Sequence, residues 1–178
     1  MEEHNIVKML SLLGEELQEM EVTKPIQVVL VGGAYMVTQI HNRSVTRDVD
    51  VIVQLEKDTV EYRKFKAAVR FIAQDLRASP AWLSDNMAEF FQSLGKAPNS
   101  KLWFLNGSLE VYVPEPGYIF VLKALSGRDK DLEDIDALLP LLNVKTRKQA
   151  KNLIQRYISQ AAQAEHNQEI QLILDTFF

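Results

Sequence analysis

Cysteine is absent from all 178 residues. Disulfides, thiolate zinc sites and cysteine nucleophiles are excluded together, and the composition fits a reducing cytoplasm. Histidine is scarce: His4, His41 and His166 are scattered, with no partner at metal-ligand spacing. No serine sits in a Gly-x-Ser-x-Gly setting, so a hydrolase triad of that type has no support. Positive charge is in the minority, leaving a net charge of -4. No global field recruits nucleic acid, and an RNA contact would need a local patch. Lys145, Arg147, Lys148, Lys151 and Arg156 could form such a stripe. Long apolar runs are missing too, since nothing approaches the roughly 20 residues that would span a bilayer. The opening Met1-Glu2-Glu3-His4 is acidic where a secretory signal would be basic. The expectation is a cytoplasmic chain with no membrane partner.

What is present is an ordinary core-forming composition, 47% hydrophobic and 25% charged, sufficient for one domain or a domain with a helical appendage. Residues 3–20 carry Ile6, Met9, Leu10, Leu13 and Leu17 at helical spacing. Ile26 to Val31 reads as a buried strand, Gly32-Gly33 as a turn, and Ala34 to His41 as a short helix that Asn42 can end in the left-handed conformation. Asp48 to Leu55 is a second strand. Thr59 to Arg77 is a periodic helix stopped by Ser79-Pro80, and Ala81 to Leu94 reads as helical, with Trp82, Phe90 and Phe91 as core anchors. Lys101 to Leu105 and Leu109 to Val113 are short strands joined by Asn106-Gly107, the strongest hairpin signal in the chain. Helices are expected over Tyr118 to Ser126, Leu132 to Leu142 and from Lys145 onward.

Chemistry concentrates in two places. Gly32 and Gly33 lack side chains, so the backbone there can approach a phosphate at the start of a helix. A tight strand-to-helix turn would use the same residues. No Gly-Lys-Ser/Thr and no Gly-x-Gly-x-x-Gly is present. Alternation along the second strand puts Asp48 and Asp50 on one face, and two carboxylates so close repel unless a cation lies between them. The alternative is a solvated strand end with a carboxylate paired to Arg43 or Arg47. A hard oxygen pair beside a phosphate-sized turn suggests Mg²⁺ and a nucleoside triphosphate.

The run Gly32-Gly33, then Arg43-Ser44-Val45-Thr46-Arg47-Asp48-Val49-Asp50, resembles the core motif of the DNA polymerase β-type nucleotidyltransferase superfamily. Trp82-Leu83-Ser84-Asp85 is similar to the Trp-Leu-Asn-Asp element of one branch. The series Lys123-Ala124, Arg128, Asp131, Asp134-Ile135 is similar to that branch's Lys-Leu-x-Ala-x-Arg-x-x-Asp-x-x-Asp-Ile element. The branch includes the abortive-infection type nucleotidyltransferase toxins, and the match runs from about Val28 to Leu139.

The resemblance implies an α/β (α+β) fold: a small mixed sheet flanked by helices and a helical C-terminal half. Residues 1–113 would form the core with its N-terminal helix, and 114–178 a helical region packed on it. It implies a Mg²⁺- or Mn²⁺-dependent transfer of NMP from an NTP to an acceptor, which could be RNA (tRNA for a toxin), a protein or a small molecule. A toxin would have an antitoxin partner. Catalytic and metal-binding roles fall to Asp48 and Asp50, with Glu110 as the candidate third carboxylate or else a solvated edge charge. Gly32, Gly33, Arg43, Thr46 and Lys123 would hold the nucleotide, although Lys123 could equally be a lysine snorkelling at the core margin. Arg128, Asp131 and Asp134 would frame the site, or pair with one another along a helix. The other function compatible with these residues is an inactive nucleotide- or partner-binding module.

Overall fold

The computed structural model describes residues 1–86 and 100–178, which fall into two compact units, 1–86 with 100–113 and 114–178. The first unit is built on a five-stranded mixed sheet. Its strands are β1 (Ile26–Val31), β2 (Val49–Val53), β3 (Leu83–Ser84), β4 (Ser100–Asn106) and β5 (Leu109–Pro114), in the spatial order β3-β2-β1-β5-β4. β1 is central. It runs antiparallel to β2, with Val31 opposite Asp50, and parallel to β5, with Gln27 opposite Glu110. β2 continues the sheet to β3 in parallel, Asp50 opposite Ser84.

Strand alternation sorts these residues onto two faces. One face carries Ile26, Val28, Leu30, Val49, Val51, Leu109 and Val111, all buried. The apolar stripes of α1 (Glu3–Glu19) and α3 (Val60–Asp75), which pack on each other, supply further core from Leu10, Leu13, Leu17, Phe65, Val69 and Ile72. The other face carries Gln27, Asp50, Ile52, Glu110 and Tyr112, none of them fully buried, together with Val29 and Val31 of the central strand. Along β1, β2 and β5 the polar side chains are therefore gathered on one side of the sheet.

Local signals account for several element ends. Thr59 caps α3 by accepting from Tyr62 N at 3.2 Å. The β4–β5 turn uses Gly107 at φ +50°, a conformation that an L side chain rarely adopts. Asn106 Nδ2 donates to Ser11 O at 3.0 Å and Ser108 N donates to Gly14 O at 3.0 Å, which pins the turn to α1.

Three expectations need correction. The helix after the glycine pair, α2 (Gly32–Tyr35), widens into a π-helical turn over Met36–Ile40, closed by His41 N donating to Met36 O at 2.8 Å. His41, not Asn42, takes the left-handed conformation, at φ 57°. Residues 81–86 are not helical, because Val49 N donates to Trp82 O at 2.7 Å and β2 draws Leu83–Ser84 into the sheet. Tertiary pairing overrides the apolar periodicity there. The rest of that expected helix, with Phe90 and Phe91, lies outside the described residues.

The second unit is helical: α4 (Pro116–Ser126), a 3₁₀ turn (Asp129–Asp131), α5 (Leu132–Leu142), α6 (Arg147–Tyr157), α7 (Gln160–Glu165) and α8 (Asn167–Phe177). The helical stretch expected from Lys145 onward consists of three helices, with breaks at Ile158 and His166. Thr146 opens α6 with a capping box closed by Gln149, and Ser159 caps α7. Among the described residues, no helix is long and apolar enough to cross a membrane.

Candidate functional site

The site is assembled where β1 ends. Val31 runs extended into Gly32, whose φ of +63° only glycine adopts without strain. A Cβ on Gly32 would collide with Asp50 Oδ2 and lie 3.0 Å from Asp50 Cβ and Cγ. A Cβ on Gly33 would collide with Thr46 Oγ1 and lie 3.6 Å from Arg43 Nη1. Each glycine thus makes room for one residue of the Arg43–Asp50 segment. The close approach explains why two adjacent residues both lack side chains.

Thr46 carries the contact onward. Its Oγ1 donates to Asp48 O at 3.1 Å, and its own N–H donates to Met1 O at 3.0 Å. The loop that delivers the carboxylates is therefore fixed from α1's side as well as from the turn. β2 begins at Val49, so Asp48 stands just before the strand and Asp50 within it. Both are half-buried. The structure brings Gly32, Gly33, Arg43, Thr46, Asp48 and Asp50 into one neighbourhood.

Glu110 is placed elsewhere. It shares the polar face with Asp50, but on β1 its neighbour is Gln27, four residues before Val31. At a strand's rise that is about 13 Å along the sheet, with β1 between the two, about 10 Å across. Its Oε2 accepts from Gln27 Nε2 at 2.9 Å and from Tyr112 OH at 2.8 Å. Glu110, through its hydrogen bond, raises Tyr112 above the ordinary phenol range. Among the described residues, no group of three His, Asp or Glu side chains could hold a metal ion. The glycine turn and the Asp48/Asp50 pair do fit a Mg²⁺ ion whose remaining ligands are substrate phosphates and water, which is how Mg²⁺ is usually held. Glu110 does not fit that set.

Lys123, Arg128, Asp131 and Asp134 lie in the second unit, where they form a network of their own. Lys123 Nζ, 5% exposed, lies 2.9 Å from Asp131 Oδ1 and 2.5 Å from Asp134 Oδ2. Asp131 Oδ2 also accepts from Ser126 Oγ at 2.6 Å and Arg128 Nε at 2.7 Å. Burial would push the Asp131 carboxyl up, but the Ser126 bond, the Lys123 charge and the bonds from Lys123 and Arg128 outweigh it and hold the group below its ordinary value. Asp131 begins α5 without capping it, because its side chain is spent on this network. Of the basic residues of α6, Arg147 is paired with Asp175 at 2.5 Å and Arg156 with Glu115 at 3.4 Å.

Two features escaped the sequence. A cavity of about 330 Å³ opens beside the turn, lined by Glu3, Val37, His41, Asn42, Arg43 and Ser44. The π turn sets His41 and Asn42 there, and nothing in a helical periodicity announces a π turn. The second is Ser84, the sheet neighbour of Asp50. Its tetrapeptide was visible as a motif, yet a helical reading pointed it away from the strand.

The glycine turn, the Thr46 contact and the two aspartates thus lie together at one end of the sheet. The chain belongs to the family described as "Nucleotidyltransferase of unknown function (DUF6036)", whose model matches residues 8–173. No curated protein and no solved structure matches the chain.

Proposed function

We propose that the chain is a Mg²⁺-dependent nucleotidyltransferase that moves NMP from an NTP to an acceptor hydroxyl or amine. The observation that carries this reading is the fit of Gly32 against Asp50 and of Gly33 against Thr46. Only a backbone stripped of Cβ atoms lets the Asp50 carboxylate and the Thr46 hydroxyl stand so near a helix start, where N–H groups attract anions.

Gly32 and Gly33 present their backbone to the triphosphate, and the Arg43 guanidinium beside Gly33 neutralises phosphate charge. Thr46 fixes the Asp48 backbone. Asp48 and Asp50 are the residues that would hold the divalent cation, which supplies charge neutralisation at the reacting phosphate. The acceptor's lone pair forms a bond to the α-phosphorus as its proton passes to solvent, the bond from that phosphorus to the bridging oxygen breaks, and pyrophosphate leaves with its electrons. Such a transfer depends on positioning and electrostatics, so few further residues are needed.

Glu110 favours a second reading, a nucleotide-binding module without turnover, because its placement leaves the pair, among the described residues, without the third carboxylate that the superfamily resemblance implies. An RNA acceptor, with the toxin role of the abortive-infection branch, draws less support: the net charge is -4, and two of the five basic residues from Lys145 to Arg156 are paired with carboxylates. Incubating the pure chain with Mg²⁺, each NTP and a cell extract separates these readings. Pyrophosphate release that disappears in the Asp48→Ala/Asp50→Ala double variant supports transfer. Equal release from both proteins overturns it.

A further inference from the structure

On the polar face of the sheet, the rung that reaches the glycine turn reads Val31, Asp50, Ser84 across β1, β2 and β3. Neighbours on a rung are about 4.8 Å apart and point to the same side. Val31 is buried and apolar, so Ser84 is the polar side chain that adjoins Asp50 on this rung.

Trp82 and Asp85, which bracket Leu83–Ser84, are locked into place from within the same unit. Trp82, 1% exposed, donates from Nε1 to Val69 O of α3 at 3.0 Å. Asp85, 5% exposed, accepts from Tyr62 OH at 2.5 Å and Lys66 Nζ at 2.8 Å, both on α3. Burial would raise the Asp85 carboxyl, but the Lys66 and Tyr62 bonds prevail and keep it ionised and below its ordinary value. Ser84, half-buried between those anchors, is left on the Asp50 side.

We propose that Ser84 is a substrate-contacting residue of the nucleotide site, its hydroxyl donating to a phosphate oxygen of the NTP held at Asp48 and Asp50. The assignment rests on the nucleotidyl-transfer reading and adds to it a specific neutral donor. A hydroxyl suits this position because it can donate to a phosphate oxygen without adding a negative charge that would repel the phosphates. A hydrogen bond to a charged oxygen, once removed, weakens binding by about 10- to 100-fold.

The test is calorimetric titration of the full chain with the Mg²⁺ complexes of ATP, GTP, CTP and UTP. The variants are Ser84→Ala, Ser84→Thr and Asp50→Asn, each checked by thermal melting. The expected result is a 10- to 100-fold weaker Kd for Ser84→Ala at an unchanged Tm, with Ser84→Thr restoring most of the loss because it restores the hydroxyl. A purely structural serine would lower Tm and would show no such rescue in Kd. If Ser84→Ala binds as the parent does while Asp50→Asn binds weakly, the Ser84 assignment is overturned and the nucleotide site stands. If none of the four complexes binds the parent chain, both fall together.

Discussion

Replacing Gly32 by alanine tests the geometry at its tightest point. The new methyl group faces two penalties of different kinds. The backbone sits at φ +63°, which costs an L residue about 1–2 kcal/mol. The Cβ also occupies the place of Asp50 Oδ2, so the carboxylate must swing away. For a chain of this length each kcal/mol lowers Tm by about 2–4 °C, so the backbone penalty alone predicts a fall of about 2–8 °C. The carboxylate shift is an activity effect, since a misplacement of about 1 Å at a reacting centre costs on the order of 100-fold. Gly127→Ala is the matched control. It has nearly the same backbone conformation, φ +57°, and its Cβ meets Glu169, 2.9 Å from Cγ, 3.0 Å from Cβ and 3.5 Å from Cα, rather than Asp50. Thermal melts and Mg²⁺·NTP titrations on both variants separate the two penalties. Similar losses of Tm are expected, with loss of nucleotide binding in Gly32→Ala alone. If Gly32→Ala keeps the parent Kd, the closeness of Gly32 to Asp50 has no functional meaning and the reasoning is refuted.

Glu110→Gln is expected to leave the Mg²⁺·NTP Kd within about twofold of the parent, because its rung is displaced by about 13 Å along β1; a large loss would return Glu110 to the ligand set. Thr46→Val removes the bond to Asp48 O and is expected to reduce turnover several-fold with a small change in Tm, read by paired kinetics and melting. Lys123→Met leaves Asp131 and Asp134 buried without their shared cation, and should destabilise the chain by about 3–5 kcal/mol in urea unfolding. Acid stability follows from Asp85 and Asp131, both held below the ordinary value of 3.8. A carboxyl depressed in the folded state contributes stability above 3.8 that is lost as pH falls through its lower folded value. Tm should therefore hold steady down to about pH 5 and drop below pH 4, with a shallower drop in Asp131→Asn, as melts across that range would show.

The sequence announced what depends on local chemistry. The buried apolar run of β1, the alternation in β2, the Asn106-Gly107 turn and the helical stripe of α3 all follow from neighbours a few residues apart. The glycine pair and the two aspartates were legible for the same reason. What escaped depends on partners distant in the chain. Trp82-Leu83-Ser84-Asp85 has an apolar spacing that suits a helix, and only β2 makes it a strand. Glu110 alternates correctly with Leu109 and Val111, yet alternation fixes its face and says nothing of its rung. The rung follows from the parallel register with β1, which no local pattern encodes. Lys123 shows the same limit, since its partners Asp131 and Asp134 become neighbours only when α4 and α5 pack.

The most direct measurement follows the fate of the phosphates. The chain is incubated with Mg²⁺, a cell extract and NTP labelled at either the α- or the γ-phosphorus. Nucleotidyl transfer predicts that the α label becomes attached to a macromolecule or metabolite while the γ label leaves in pyrophosphate, and that Asp48→Ala/Asp50→Ala abolishes both. Transfer of the γ label to the acceptor, or undiminished α labelling by the double variant, would contradict the account.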